Sequence, residues 1–494
     1  MRPFEITSWQ PIIPAWPAIL REIESKTTIA VGVQPYPRII PALFLRNYAI
    51  YCVHDLADFD SLRPYCNIVC LEDRHPTVAA KVHATNYLIR NYSFQAFLKS
   101  RRQPYRLLFY QTTKKIVEAL KEFHIEWIGN DPESFSGVLL KGDFRQLIKS
   151  RGLPSLPDWR LSREEFLKLR FNDLWAHWSR AFVVQRADFD VAGELGTFFV
   201  RTEQDWQSMH DVLANDERYH FVTLSPYIVG NSFSMLGCIT VMGVLTSTLQ
   251  LQFIDVPEAL AGQPPTGVFL GHDWGYDRWP RSVEQTAQRV VESVGAALQE
   301  KGYKGIFGVD FIADEQTSEI FPIECNPRFT GALPLFSLMT LWTGGPPIEL
   351  FHFMSHLGLD NTFDFAAANA ALKVRRPLAH LSLTPKGIYE MKLPLAAGIY
   401  SFGPDERSLR FERLGAFPWE CKNENEFIII DSVPRPGSQV IQNVPRLCKL
   451  IFPRQIAESS FRVDPKIGRL FTNLSVALRK DQRAPAPPSN QIGP

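Results

Sequence analysis

The fold is decided by residues 305–332, which read GIFGVDFIADEQTSEIFPIECNPRFTGA. Two runs rich in β-branched and apolar residues, 306–312 and 320–325, flank the polar segment 313–319. This pattern predicts a β-hairpin with a longer loop. The alternative is an edge hairpin whose polar face meets water, but the flanks are too apolar for a solvated hairpin.

Three oxygen-bearing side chains fall on one face of this hairpin. A turn centred on Thr317 sets Asp310 opposite Glu324. Because side chains alternate along a strand, Asn326 then shares that face, with Arg328 two residues further along the same side. Two carboxylates and an amide oxygen are hard ligands that suit Mg²⁺, which usually reaches a protein through a few carboxylates plus substrate phosphates. The hairpin therefore predicts a magnesium site.

The same residues resemble the metal-binding signature of the ATP-grasp superfamily, which has an acidic residue on one strand and Glu-x-Asn-x-Arg on the next. Here the acid is Asp310 and the second strand carries ECNPR at 324–328. Members include D-alanine–D-alanine ligase, biotin carboxylase and carbamoyl phosphate synthetase. The resemblance implies that Asp310, Glu324 and Asn326 hold two Mg²⁺ ions, for which Mn²⁺ can substitute. It also implies that Arg328 is the catalytic residue, gripping a substrate carboxylate.

Length and composition limit the number of domains and the class of protein that the chain can form. With 494 residues, about three domains are expected, each large enough for its own core. A hydrophobic content of 45% and a charged content of 21% are ordinary for a soluble globular protein. The formal charge of +1 gives no electrostatic reason to expect nucleic acid or an anionic membrane as a partner. No signal peptide and no spanning segment are recognised, and seven cysteines in no paired spacing predict reduced thiols in a cytoplasmic protein.

The first 138 residues read as a small doubly wound parallel sheet, because predicted strands alternate with helices such as 112–123. The predicted strands are 28–34, 48–55, 67–73 and 124–130. No G-x-G-x-x-G follows the first strand, which argues against a nicotinamide enzyme. The resemblance implies a Rossmann-like pre-ATP-grasp domain at 1–138. Such a domain either helps to bind the acceptor or serves only as a scaffold, and both alternatives remain open.

The segment 139–157 carries the next motif. An amphipathic helix is predicted at 143–150, followed by a Gly-Leu-Pro stop. This arrangement resembles the opening motif of the ATP-grasp family, in which a lysine starts a helix ahead of such a break. The resemblance implies that Lys141 reaches the ATP phosphates. Taken alone, Lys141 would be a solvated surface lysine.

Residues 181–200 read as strand, loop and strand. Gly193 and Gly196 would let backbone N–H groups approach phosphate oxygens closely, although a two-glycine loop is usually just a hairpin turn. The resemblance is to the glycine-rich lid of the family, with one departure: Gln185 stands where a lysine normally ends the first strand. Arg186 is expected to reach inward instead, and Gln185→Lys is expected to strengthen nucleotide binding.

Two long strands joined in a meander are predicted at 221–235 and 238–253. The resemblance places the interdomain hinge within the first of them. It implies that the backbone carbonyl of Ser225 and the amide of Ile228 bracket the adenine edge, with Tyr227 packing beside them.

Two departures from the family pattern follow. Ser232 stands where an acidic residue commonly holds the ribose hydroxyls, so the sugar is expected to bind more loosely or through other groups. In addition, no Lys or Arg occurs from 219 to 277, where many family members place a cation on the transferred phosphate. His220 and His272 are the only residues in that span that could become cationic.

The remaining elements complete the predicted organisation. An amphipathic helix at 282–301 leads into the metal hairpin, and 329–332 leads into a helix whose free N–H groups favour an anion. Further strands are predicted at 386–395, 409–415, 425–433 and 440–452, then a helix at 468–478.

The expected domains are 1–138, an ATP-grasp core at 139–345 with a lid subdomain at about 160–235, a β-rich domain at 346–482 and a disordered tail at 483–494.

The fold class expected from the resemblance is therefore mixed α/β and α+β: an ATP-grasp fold with an N-terminal Rossmann-like domain and a β-rich C-terminal extension. The implied activity is an ATP-dependent carboxylate–amine ligase that forms an amide or peptide bond through an acyl phosphate. Its partners would be a small-molecule carboxylate, such as an amino acid or small peptide of specialised metabolism, and an amine; a homodimer is compatible. The alternatives are a biotin-carboxylase or carbamoyl-phosphate type of enzyme and a catalytically impaired nucleotide-binding scaffold.

Overall fold

A computed structural model describes the protein at most positions of the chain. The described residues are 5–79, 81–82, 84–188, 196–260, 267–383, 389–390, 395–403, 408–435, 439–440 and 447–479. The predicted disordered tail at 483–494 therefore lies outside the described residues. None of the helices among the described residues is long and apolar enough to cross a membrane. None of the seven cysteines, all of which lie among the described residues, forms a disulfide.

The elements are numbered here in chain order. The helices are α1 (Trp16–Ile23), α2 (Asp58–Leu62), α3 (Leu71–Arg74), α4 (Pro76–Ala79), α5 (Thr85–Ile89), α6 (Tyr92–Lys99), α7 (Lys114–Glu122), α8 (Ser136–Leu139), α9 (Lys141–Ser150), α10 (Arg163–Leu167), α11 (Phe171–Trp178), α12 (Glu203–Ala214), α13 (Pro257–Leu260), α14 (Arg281–Gln299), α15 (Leu333–Trp342), α16 (Ile348–Leu357), α17 (Phe365–Ala371) and α18 (Pro465–Arg479). The strands are β1 (Thr27–Val31), β2 (Tyr48–Cys52), β3 (Asn67–Cys70), β4 (Tyr105–Phe109), β5 (Trp127–Ile128), β6 (Trp159–Ser162), β7 (Phe182–Arg186), β8 (Thr197–Val200), β9 (Phe221–Pro226), β10 (Gly230–Thr240), β11 (Gly243–Thr246), β12 (Gln250–Ile254), β13 (Phe269–Asp273), β14 (Gly305–Asp314), β15 (Ile320–Asn326), β16 (Ala379–Leu383), β17 (Tyr389–Glu390), β18 (Gly398–Phe402), β19 (Leu409–Arg413), β20 (Glu426–Ile430), β21 (Gln439–Val440), β22 (Cys448–Phe452), β23 (Ala457–Ser459) and β24 (Arg462–Val463).

The N-terminal part is a five-stranded parallel sheet with the strand order β3-β2-β1-β4-β5. Strands β1 and β2 are buried at every position, as expected for a sheet that is covered on both faces. The predicted doubly wound sheet is therefore confirmed. The predicted strand 67–73 is shorter than expected, because α3 begins at Leu71, and the predicted strand 124–130 is reduced to Trp127–Ile128.

The hairpin of β14 and β15 lies at one edge of a mainly antiparallel eleven-stranded sheet, called here the central sheet. Asp310 pairs with Glu324 in the register, as predicted, and a bulge follows Asp310. The turn is closed by Asp314, whose Oδ1 accepts the backbone N–H groups of Gln316 at 2.8 Å and Thr317 at 2.9 Å. Local hydrogen bonds thus close the turn of this hairpin, while β14 also pairs with β10 along its length.

A smaller sheet of four strands, called here the lid sheet, has the order β6-β9-β7-β8. The predicted continuous strand 221–235 is wrong, because β9 belongs to the lid sheet and β10 to the central sheet. The amide of Tyr227 donates to the carbonyl of Ala181 in the lid, whereas the carbonyl of Val229 accepts the amide of Glu315 beside the central sheet. The other predicted strand, 238–253, is likewise divided among β10, β11 and β12.

The C-terminal strands extend the central sheet. β16 pairs with β13, and the order continues through β22, β20 and β18 to β19. Gly271 permits this junction, because a Cβ there would lie 1.9 Å from the carbonyl oxygen of His380. The predicted strands 409–415 and 425–433 are confirmed as β19 and β20, whereas most of 386–395 and half of 440–452 lie outside the described residues. Helices α16 and α17 and strands β16 and β18 were not predicted.

Candidate active site

A cavity of about 380 Å³ lies between the lid sheet and the central sheet. Both sheets contribute to its lining, together with the start of helix α9. The lining includes ten of the twelve residues predicted for the site: Lys141, Gln185, Ser225, Tyr227, Ile228, Ser232, Asp310, Glu324, Asn326 and Arg328. The structure therefore brings together residues that are spread over nearly 190 positions of sequence.

The two glycines predicted for the lid are the exceptions. Gly193 lies outside the described residues. Gly196 is described and buried directly before β8, but it is not part of the cavity lining. A direct contact between a phosphate and Gly196 is therefore unsupported by this conformation.

Asp310 and Glu324 form a pair of carboxylates, and Asp310 accepts two side-chain hydrogen bonds. Its Oδ1 accepts a hydrogen bond from Gln252 Nε2 at 2.9 Å, and its Oδ2 accepts one from Asn326 Nδ2 at 2.8 Å. Burial, with the charge of Glu324 as the second cause, raises the pKa of Asp310 to about 7. Two carboxylates facing each other in a partly enclosed cavity are electrostatically unfavourable unless a cation or a proton accompanies them.

Asn326 connects Asp310 to Arg328 by hydrogen bonds on the same face of the hairpin. Arg328 Nη2 donates to Asn326 Oδ1 at 2.7 Å, and Arg328 Nη1 donates to the carbonyl oxygen of Phe329 at 3.2 Å. The guanidinium is only partly buried and lines the cavity, so it can receive an anion from within it. Its planar fork suits a carboxylate or a phosphate.

The donor set at this position fits a hard divalent cation. It combines the carboxylates of Asp310 and Glu324 with the amide of Asn326, and such oxygen donors are the ligands that Mg²⁺ prefers. Nowhere in the described ranges do three or more His, Cys, Asp and Glu side chains form a group that could hold a metal ion. The candidate site therefore has two protein carboxylates, and the remaining ligands would be the amide, water and substrate oxygens.

Lys141 stands opposite the carboxylates. It is the first residue of α9, and its Nζ lies 3.5 Å from Glu324 Oε2 and donates to Thr197 Oγ1 at 3.4 Å. Only 16% of the side chain is exposed, so it is not the solvated surface lysine that the isolated sequence would suggest. It is placed to neutralise an anion that enters between the two sheets.

Arg186 does not take the place of the missing lysine, and this expectation is wrong. Alternation along β7 puts Gln185 on the cavity side and Arg186 on the opposite face, where Arg186 Nη2 pairs with Asp216 Oδ2 at 2.8 Å. Gln185 instead accepts a hydrogen bond from Arg145 Nη2 at 2.6 Å. A lysine introduced at 185 would meet that guanidinium, so a simple gain in nucleotide affinity from Gln185→Lys is no longer expected.

Arg145 is a cavity residue that the sequence reasoning missed. It lies one helical turn after Lys141, and residues four apart share a helix face, so the spacing was a usable signal. Phe461, from the connection between β23 and β24, also lines the cavity. No sequence pattern marked Phe461, because its position depends on the docking of a distant hairpin.

The residues predicted for the hinge also line the cavity. Tyr227 packs edge-on against Phe199, with ring centroids 5.8 Å apart. Within the described part of the chain, no hydrogen bond engages the amide of Ile228, so this donor can serve a ligand. Ser232 lines the cavity as well, and its amide donates to Ser460 Oγ at 2.8 Å.

The two histidines proposed as cations do not serve as such. His220 is exposed and is absent from the cavity lining. His272 lines the cavity, but burial and the charge of Lys449 lower its pKa to about 3. Its Nδ1 shares a hydrogen bond of 3.0 Å with His380 Nε2. His272 is therefore neutral at ordinary pH.

The helix predicted after 329–332 is α15, which begins at Leu333. Thr330 and Gly331, which precede it, line the cavity beside Arg328. Thr330 Oγ1 is buried and has no hydrogen-bond partner in the described structure. The predicted anion site at this helix start stays a prediction.

Sequence comparison agrees with this description. Residues 186–332 match a family model described as an ATP-grasp domain. No curated protein matches the chain in sequence.

Solved structures share the fold over most of the chain. Biotin carboxylase from Campylobacter jejuni has 13% identity and a TM-score of 0.54, covering 86% of this chain and 87% of that one. The biotin carboxylase domain of 2-oxoglutarate carboxylase from Hydrogenobacter thermophilus, solved as a dimer with MgADP and bicarbonate, has 13% identity and a TM-score of 0.57, covering 86% of each chain. N5-carboxyaminoimidazole synthase from Aspergillus clavatus, solved with ADP, has 10% identity and a TM-score of 0.51, covering 92% of this chain and 99% of that one. At these identities the likeness shows a common fold.

Proposed function

We propose that the protein is an ATP-dependent carboxylate–amine ligase, because residues 186–332 match the model of an ATP-grasp domain and the chain shares its fold with biotin carboxylase. The observation that carries this proposal is the convergence of Asp310, Glu324 and Arg328 with Lys141 on one cavity. A protein that only bound nucleotide would not need an acidic pair and a guanidinium fork at the same end of the site.

The arrangement supports one orientation of ATP. The adenine would lie at the hinge, where the amide of Ile228 is available and Tyr227 lines the wall. The triphosphate would then run toward Lys141, whose ammonium supplies a positive point charge. Asp310, Glu324 and Asn326 would hold Mg²⁺, which when bound neutralises charge on the phosphates.

The proposed reaction has two steps. An oxygen of the substrate carboxylate attacks the γ-phosphorus; a new P–O bond forms, the bond to the β-phosphate oxygen breaks, and ADP leaves. The nitrogen of an amine then attacks the carbonyl carbon of the acyl phosphate, inorganic phosphate leaves, and the amine loses a proton. Arg328 would hold the carboxylate in line and then the acyl phosphate. The substrates we favour are an amino acid or small peptide and an amine.

A second candidate is favoured by the extent of the structural likeness. The biotin carboxylases match 86% of this chain, including parts beyond the matched ATP-grasp domain. In that case bicarbonate would replace the organic carboxylate, and the product would be a carboxylated nitrogen. The same residues would act on ATP in both cases, so only the substrate distinguishes them.

Release of ADP by the purified protein tests the proposal. ATP and Mg²⁺ would be supplied with single amino acids, amino-acid pairs, amines with small carboxylates, or bicarbonate with an amine, and products would be identified by mass spectrometry. We expect ADP release that depends on an organic carboxylate, and a product joined by an amide bond. Release that depends on bicarbonate alone would favour the second candidate. ATP binding without ADP release under any condition would favour the nucleotide-binding scaffold.

A further inference from the structure

A second cation shares the cavity wall with Lys141. Arg145 lies four residues later on α9, and only 7% of its surface is exposed. The start of α9 is held against the end of β7, because the Gly142 amide donates to the carbonyl of Ala187 at 3.2 Å. A Cβ at Gly142 would lie 3.0 Å from that oxygen, so glycine avoids a tight contact at this position. This contact places the first turns of the helix, with both cations, against the lid sheet.

The two cations are linked through the lid sheet. Arg145 Nη2 donates to Gln185 Oε1 at 2.6 Å, and Gln185 Nε2 donates to Thr197 Oγ1 at 3.1 Å. Thr197 Oγ1 also accepts from Lys141 Nζ at 3.4 Å. Arg145, Gln185, Thr197 and Lys141 all line the cavity. Gln185 therefore presents a neutral acceptor that positions a guanidinium, whereas a lysine at 185 would repel it.

Arg145 has donors that the protein does not use. Its Nε and Nη1 are buried and have no hydrogen-bond partner in the described structure. Asp158 Oδ2 lies 3.7 Å from Nη1, but this carboxylate also contacts the ammonium of Lys149. Buried donors without partners are costly, and because Arg145 lines the cavity, an anionic ligand bound beside it would supply acceptors to this guanidinium.

We infer that Arg145 is a phosphate-binding residue for a nucleoside polyphosphate. From its place on helix α9, it supplies the positive charge that position 185 of strand β7 lacks. This inference rests on the proposed function, because it assigns a further residue of the same nucleotide site. Gln185 is a positioning residue, since it holds the guanidinium and offers no charge of its own.

A purely structural role is the competing explanation. Arg145 would then serve only to tie α9 to Asp158 and Gln185. Lys149 provides a matched control, because it contacts the same carboxylate but does not line the cavity. Lys149→Met removes an equal charge from Asp158 without touching the nucleotide site.

The test is isothermal titration of the full chain with ATP, ADP and adenosine in the presence of Mg²⁺. For Arg145→Met we expect the ATP and ADP dissociation constants to rise about tenfold or more, because charge-assisted hydrogen bonds to phosphate are lost. Adenosine binding should stay within about twofold, because adenosine carries no phosphate. Lys149→Met should bind all three ligands like the unaltered protein.

The double variant Arg145→Met/Gln185→Lys moves the cation from the helix to the strand. We expect it to recover ATP binding to within about threefold of the unaltered protein, which a structural role would not produce. If Arg145→Met fails to fold, Arg145→Lys keeps a charge beside Asp158 and should still bind ATP less tightly, with adenosine unaffected.

The inference would be overturned if Arg145→Met lost affinity equally for ATP and adenosine. It would also be overturned if the double variant did not recover ATP binding. If Arg145→Met binds ATP normally, Arg145 is structural, while the proposed function stands. An unaltered protein that binds neither ATP nor ADP would instead refute the proposed function, and the assignment of Arg145 with it.

Discussion

Replacing Lys449 by methionine should cost the protein more stability than removing almost any exposed charge. Lys449 and Asp431 form an ion pair of 3.1 Å with exposed side-chain fractions of 1% and 0%. Lys449 Nζ also lies 3.4 Å from the carbonyl oxygen of Gly331, on the wall of the cavity. The methionine variant would leave the Asp431 carboxylate in the interior without this ammonium.

Breaking a buried pair by removing one partner costs about 3–5 kcal/mol. The entropy of unfolding is about 2.1 cal/mol/K per residue, which gives about 1 kcal/mol/K for this chain. We therefore expect Lys449→Met to lower the melting temperature by about 3–5 °C in scanning calorimetry. Lys121→Met is the control, because its pair with Asp131 is exposed and should contribute less than about 1 kcal/mol.

The double variant Lys449→Met/Asp431→Asn separates the charge effect from simple loss of packing. Asp431 has a φ of +70°, a conformation that asparagine tolerates, so the substitution keeps the backbone preference. We expect the double variant to recover most of the lost melting temperature, since the buried carboxylate that the ammonium balanced is removed as well. A double variant as unstable as Lys449→Met, or a single variant no worse than Lys121→Met, would refute this reasoning.

Three further predictions concern the site and the core. Glu324→Ala should abolish ADP release with little change in melting temperature, because it removes a candidate Mg²⁺ ligand from a partly exposed position. Arg328→Lys should lower turnover about tenfold, or about 1.4 kcal/mol, with ATP affinity unchanged by calorimetry, because lysine lacks the fork that aligns a carboxylate. Glu349→Gln should raise the melting temperature at pH 9 but hardly at pH 5. Burial raises the pKa of Glu349 from 4.5 to about 8, so the folded state retains a proton that the unfolded state releases, and stability falls as pH rises through that window.

Each of these variants has a matched control. Glu319→Ala changes an exposed carboxylate of the same hairpin and should leave ADP release unchanged. Arg454→Lys is the control for Arg328→Lys, because Arg454 lies outside the cavity lining. Glu118→Gln is the control for Glu349→Gln, because Glu118 is exposed. Normal turnover in Glu324→Ala would contradict its assignment as a metal ligand. A loss of ATP affinity in Arg328→Lys would contradict its assignment to the carboxylate. Equal changes in the melting temperature of Glu349→Gln at both pH values would contradict the raised pKa of Glu349.

The parts of the fold that depend on local pattern were predictable. The β14–β15 hairpin has alternating side chains and a polar turn, so the pairing of Asp310 with Glu324 follows from the spacing alone. Helix α14 likewise shows an apolar stripe that the structure buries. Helix α16 was missed because both its faces are buried, which leaves no amphipathic period in the sequence.

The parts that depend on tertiary contacts were not predictable from one sequence. The break between β9 and β10 has no strong local signal, since its cause is that the two strands join different sheets. The same holds for Arg145: its spacing from Lys141 shows a shared helix face, but only the contact between Gly142 and Ala187 turns that face toward the lid. The role of Arg186 was misjudged because strand alternation was not applied at the end of β7.

The pairing of β13 with β16 determines which fragments of this protein could exist alone. A fragment ending near residue 345 would contain the whole matched ATP-grasp domain, yet it would leave β13 as an open sheet edge with unpaired backbone groups. Such an edge invites pairing between chains and aggregation. The fragment would also lose Ser460, which binds the backbone of Ser232, and the amides of Ile456 and Ala457, which satisfy the buried carboxylate of Asp273. Recombinant expression and evolutionary shuffling alike are therefore expected to keep β10 to β13 together with the C-terminal strands through β24.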